Sequence, residues 1–292
     1  PAAGWLSNEA ARRLFAKAGL DFDAQVKAAN QRGFKAVPLK LKADIELDSK
    51  IDHFTSHNVL GYLKGSKRPD ETVIYSAHWD HLGMDPSLKG DQIYNGAVDN
   101  GDGVAGLVEI SRAFAKAKQR PERSVLFLAV TLEESGLLGS QYYAAHPVFP
   151  LAKTVADLNM DALPIQGVSR DMEVVGVGQS QLEDTLKSVL AEQNRHISPE
   201  DSPEKGHYFR SDHFSFAKVG VPALNASGGT DLVKGGEAAG KALRDDYTAH
   251  RYHTPLDHYD QNWDLSGTVM DLQTLYLVGR KLADEDGFPQ WN

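Results

Sequence analysis

The stretch SVLFLAVTLEESGLLGS, residues 124–140, joins an unbroken apolar run to a pair of adjacent carboxylates, Glu133 and Glu134. An apolar run of this length, bounded by charge and glycine, predicts a strand buried on both faces, as in the interior of a parallel sheet. The doublet then stands where that strand ends. Two neighbouring Glu residues can serve solubility alone, so their meaning depends on what else reaches the same edge of the sheet.

Outward from this strand the pattern repeats. ETVIYSAHWD (71–80) predicts a second central strand ending at His78, and TVADLNM (154–160) a third that stops at Asp161. Between them, DNGDGVAGLVEISRAFAKAKQ (99–119) carries apolar residues at helical spacing, and GLLGSQYYAAH (136–146) predicts a further helix. Strand, helix, strand, helix, strand argues for an α/β fold: a three-layer, doubly wound, mostly parallel mixed sheet with helices on both faces. MEVVGVG (172–178) and VPALNASG (221–228) add strands, QLEDTLKSVLAEQN (181–194) and SDHFSFAKVG (211–220) add helices, and residues 264–285 predict a long closing helix. Residues 7–18 predict a helix capped by Ser7, and the alternation in AVPLKLKADIEL (36–47) an exposed antiparallel strand. Residues 228–252 show little periodicity.

Composition narrows the function. The 292 residues are 41% hydrophobic and 24% charged, which suits a globular chain with one large core. A net charge of −9 without any dense Lys/Arg cluster argues against nucleic acid or an anionic membrane as partner. No run is long enough to span a bilayer, and no charged-then-apolar leader opens the chain. The absence of a leading Met reads as a processed or truncated chain. With no cysteine, any metal must be held by His, Asp and Glu.

In doubly wound sheets ligands bind beyond the carboxyl ends of the strands. His78, Asp99, the Glu133–Glu134 doublet and Asp161 all belong there, and His253 follows in the proline-broken loop YHTPLDHYD (252–260). Two imidazoles and three carboxylates suit a pair of divalent ions about 3.5 to 4 Å apart that share one carboxylate and one water. One further carboxylate must stay off the metals to take the proton of that water. The doubled Glu supplies it.

The ordered set SAHWDHLG, NGAVDNGDGVAGLVEISRAFA, TLEESGLLGS, NMD, YFRSDHFSFAKVGVPAL and YHTPLDHYD resembles the co-catalytic dizinc aminopeptidases of peptidase clan MH, a group that includes glutamate carboxypeptidase II and the glutaminyl cyclases. The resemblance covers about residues 58–285 and implies the zinc exopeptidase fold, two Zn2+ ions, peptide substrates and a periplasmic or secreted location. It implies His78, Asp99 and Glu134 on one zinc and Asp99, Asp161 and His253 on the other, with Asp99 bridging. It makes Glu133 the general base, Asp80 a hydrogen-bond partner of His78, and Tyr208 the group that polarises the scissile carbonyl. Arg210 is a weaker candidate for a substrate carboxylate, while His81, His213 and Asp257 read as supporting residues and His258 as a rival to His253. Larger bacterial members carry an inserted protease-associated domain. Residues 1–40 resemble the trailing edge of such a region, and 41–292 the catalytic domain. Two other readings are a single-zinc glutaminyl cyclase and a metal-free receptor-like relative, the latter disfavoured because the whole ligand set is present.

Overall fold

A computed structural model describes residues 4–292, which divide into two compact units meeting at Phe54 and Thr55. In the first unit, helix α1 (Asn8–Lys17) opens on the Ser7 hydroxyl, which accepts from the Ala10 amide, and α2 (Phe22–Ala29) opens on Asp21 in the same way. Arg12 bonds both carboxylate oxygens of Asp23 at 2.6 Å and joins the two helices. Residues 36–47 form no strand, contrary to their alternating pattern. Alternation makes one face sticky, but a strand also needs a neighbour for its N–H and C=O groups, and no ladder pairs this segment.

The second unit is built on one seven-stranded sheet. Strands β1 (Val59–Leu63), β2 (Arg68–His78), β5 (Arg123–Val130), β6 (Thr154–Asn159), β7 (Asp171–Val174), β8 (His196–Pro199) and β9 (Ala223–Gly228) stand in the order β1-β5-β2-β6-β9-β7-β8. The short β3 (Gly83–Met84) and β4 (Ile93–Tyr94) pair separately. The central strands β5, β2, β6 and β9 run parallel, β1 pairs antiparallel to β5, and β7 antiparallel to β9, so the sheet is mixed.

Period-two alternation distributes each central strand between two cores. Val73, Tyr75 and Ala77 of β2 and Val125 and Phe127 of β5 face α3 (Asp102–Lys116), α5 (Leu182–Glu192) and α8 (Ser266–Asp284). Ile74 of β2 and Leu126, Leu128 and Val130 of β5 face α4 (Leu138–Ala145) and α6 (His213–Ala217). Both faces are thus covered, which explains the unbroken apolar runs. The segment that lacks periodicity contains a helix, α7 (Gly236–His250), whose only buried residue is Gly240, so no apolar stripe marks it.

The chain passes from β2 to β5 on one side and then to β6 on the other. This reversal opens a crevice above the carboxyl ends of the three strands, where the site lies. No helix among the described residues is long and apolar enough to cross a membrane.

Candidate metal centre

His78 closes β2 with its ring almost wholly buried. Its Nδ1 lies 3.1 Å from the Asp80 carbonyl, and a proton donated there leaves Nε2 free to face the crevice. Nε2 stands 3.2 Å from Asp99 Oδ1 and 3.3 Å from Asp161 Oδ1. Across the same carboxylate, His253 Nε2 stands 3.1 Å from Asp99 Oδ2 and 3.2 Å from Glu134 Oε2. The two oxygens of Asp99 therefore serve two separate groups.

This grouping exchanges two residues relative to the pairing the resemblance implied: His78 sits with Asp161, and His253 with Glu134. Strand order gives the reason. His78 lies between the β5 and β6 ends and turns toward β6, leaving the β5 doublet to the loop that carries His253.

Two donors bound to one zinc at about 2.0–2.1 Å in tetrahedral geometry stand about 3.3 Å apart, so separations of 3.1–3.3 Å in both groups fit two such ions. The electrostatics agree. Burial pulls the His78 pKa down, but Asp161 and Asp99 outweigh it and raise the pKa to about 12. Burial raises Glu133 to about 9, with the charge of Asp161 adding to it. Four crowded carboxylates demand positive charge, which a pair of cations provides.

Each element is held from behind. The Asp257 carboxylate accepts the amides of Val98 and Asp99 at 3.0 to 3.2 Å and so fixes the bend that presents Asp99. Asn100, next in the chain, donates to the Met160 carbonyl at 2.9 Å and ties this bend to the end of β6. Ser211 Oγ donates to Asp161 Oδ2 at 2.5 Å and itself accepts from Asn159 at 2.8 Å. Partners of this kind set the direction of a metal-binding carboxylate.

Asp80 makes the expected bond to His78 through its carbonyl rather than its carboxylate. Its carboxylate is 3.8 Å from His78 Nδ1, beyond a hydrogen bond, and instead accepts the amides of Glu133 at 3.1 Å and Glu134 at 3.4 Å. It touches His78 only through its own carbonyl. Asp80 thereby shapes the turn that sends two adjacent carboxylates to different places.

Two tyrosines pack against histidines around the site. Tyr208 packs edge-on against His213, ring centres 5.0 Å apart, and burial alone raises its pKa. Tyr252, which the sequence reading passed over, stacks on the His253 ring at 3.8 Å. Its pKa is raised by burial and then by Asp99, Asp161, Glu134 and Glu133, so its hydroxyl lies in the field of all four carboxylates. The available signal was its position immediately before His253. Among the described residues His258 belongs to neither set of converging ligand atoms, which are His78, Asp99, Asp161 and His81, Asp99, Glu134, whereas Arg210 lies close enough to lower the pKa of His253.

The sequence profile of Peptidase family M28 matches residues 58–277. Aminopeptidase NAALADL1 of Mus musculus is 34% identical over 129 residues, covering 42% of this chain and 16% of that protein. Aminopeptidase YwaD of Bacillus subtilis is 25% identical over 202 residues, covering 65% and 38%. This chain thus spans a minor part of the length of these relatives. Among solved structures, a zinc aminopeptidase from Bacillus subtilis superposes with a TM-score of 0.57 at 20% identity, covering 79% of this chain and 51% of that one. A glutaminyl cyclase from Porphyromonas gingivalis superposes with a TM-score of 0.50 at 17% identity, covering 76% of each chain.

Proposed function

The chain belongs to peptidase family M28, and from that premise we propose that it is a two-zinc aminopeptidase that hydrolyses the N-terminal peptide bond of peptides. The observation that carries the reading is Asp99, whose two oxygens each face a separate imidazole and carboxylate at 3.1–3.3 Å. His78, Asp99 and Asp161 would hold one ion, and His253, Asp99 and Glu134 the other. Ions held there would supply Lewis acidity, enough to bring the pKa of a bound water from about 15.7 toward about 7.

The remaining steps belong to the protein. Glu133, outside both groups, accepts the proton of the attacking water and returns it to the leaving amine. The Tyr252 hydroxyl, beside His253, donates to the carbonyl oxygen as negative charge develops on it. The free amine of the peptide docks beside the carboxylates of the centre, and this selects the chain terminus. Tyr252→Phe lowers kcat about 10²- to 10³-fold, the usual worth of one such donor, while Tyr208→Phe has the smaller effect. Steady-state kinetics on both variants checks this, and the reverse order returns the role to Tyr208. A periplasmic or secreted location belongs to the same reading and rests on the resemblance.

The direct test combines zinc analysis with two substrates. Two zinc per chain, release of a free amino acid from an aminoacyl nitroanilide, and loss of that activity in chelator with recovery on added zinc are the expected results. One zinc per chain, with ammonia lost from an N-terminal glutamine substrate and no hydrolysis, identifies a glutaminyl cyclase instead.

A further inference from the structure

His81 lies three residues beyond His78 with its side chain only 8% exposed, and its ring nitrogen converges with carboxylate oxygens of Asp99 and Glu134 beside the His253 pair. Its ring is enclosed by the rings of Tyr94 and His253, with centres 6.5 and 5.6 Å away. The Gly96 backbone closes a third side: a Cβ on Gly96 would stand 2.8 Å from His81 Cγ, so only glycine lets the ring sit there. The imidazole is therefore held in one place by its surroundings.

That place faces Glu134. His81 Nδ1 is 2.7 Å from Glu134 Oε1, while the other oxygen, Oε2, is 3.2 Å from His253 Nε2. Both atoms are fully buried, and neither has a hydrogen-bond partner. Two lone pairs at this distance repel, so the contact requires a proton or a cation between the atoms. A separation of 2.7 Å matches a charge-assisted N–H···O bond, and is shorter than the roughly 3.3 Å between two donors on one zinc.

We propose that His81 is a positioning residue of the metal centre: its Nδ1–H occupies Glu134 Oε1 and leaves Oε2 as the single oxygen directed at the ion shared with His253 and Asp99. The inference rests on the two-ion reading. A carboxylate free to swing can bind through both oxygens and crowd the ion. One held by a donor binds through one oxygen and leaves a coordination position open for water or substrate. His81 thus makes the two positions unequal, since the oxygen that Asp161 turns away is held by the Ser211 hydroxyl and the one that Glu134 turns away by an imidazole.

The test uses His81→Phe, which keeps a ring and removes the donor, and His81→Asn, whose side-chain amide reaches about the position of Nδ1 and restores it. Zinc affinities are measured by competition with a chromophoric chelator, the cobalt-loaded proteins are compared by visible absorption, and thermal unfolding of the metal-free proteins checks the fold. His81→Ala replaces the Phe variant if that one does not fold. Wild type is expected to bind two ions. In His81→Phe one of the two affinities falls about 10- to 100-fold, in His81→Asn it recovers, and the cobalt bands stay in place because no ligand is lost. Unchanged affinities in the Phe variant overturn the inference, as does a loss that Asn fails to rescue together with shifted cobalt bands, which makes His81 a direct ligand. Fewer than two ions on wild type overturns the two-ion reading instead.

Discussion

Glu133→Gln is expected to lower turnover about 10²- to 10⁴-fold while zinc content stays at the wild-type level. Glu133 belongs to neither group of converging ligand atoms, so its removal takes no donor from an ion. Its backbone is fixed by the Asp80 carboxylate at 3.1 Å, and burial beside Asp161 raises its pKa to about 9. On the two-ion reading, cations in the adjacent groups would pull that value back toward neutrality, the range in which a general base works best. Gln keeps the size and hydrogen-bonding outline of the side chain but cannot take the proton. Glu134→Ala is expected to behave in the opposite sense: it removes a donor, and with it one ion, along with the stability that ion binding contributes. Metal analysis and nitroanilide kinetics on the two variants decide the matter. Zinc lost from Glu133→Gln and kept by Glu134→Ala exchanges the two roles.

Much of this architecture is legible in the sequence because the central strands are buried on both faces. An uninterrupted run such as SVLFLAV cannot lie at a surface, and the residue at which it stops marks the rim of the sheet. Thus His78, Glu133, Glu134 and Asp161 could be assigned to one crevice from their positions alone, and the structure brings all four there with Asp99 and His253. Lateral order is less legible. That β2 stands between β5 and β6 does not say toward which neighbour the His78 ring turns, and the ligand pairing depends on that turn. Asp80 shows a similar limit: the His-x-Asp spacing gives the bond to His78 but does not say that the carbonyl makes it while the carboxylate takes the doublet's two amides. Helix α7 escaped notice because it buries only Gly240, and the alternating segment 36–47 misled because alternation reports a face and not a partner.

The pairing itself yields the second large effect, because paired substitutions remove different numbers of ions depending on which residues share one. His78 and Asp161 lie in one group, so His78→Ala with Asp161→Asn strips two of three protein donors from one ion and leaves His253, Asp99 and Glu134 intact. His253→Ala with Glu134→Ala does the same to the other ion. Each of these double variants should retain about one zinc per chain under the two-ion reading. His78→Ala with Glu134→Ala takes one donor from each group, and each ion then keeps only two protein donors, including a shared Asp99, so this variant should retain none after gel filtration in chelator-free buffer. Asp99→Ala, one substitution, should also lose both, since each of its oxygens faces a different imidazole. The pairing first implied by the sequence puts His78 and Glu134 on the same ion and predicts that their double variant keeps one. Zinc per chain, measured by mass spectrometry on proteins whose folded state is checked by circular dichroism, therefore separates the two arrangements by a whole ion, and one zinc on the His78→Ala, Glu134→Ala protein would show the structural grouping to be wrong.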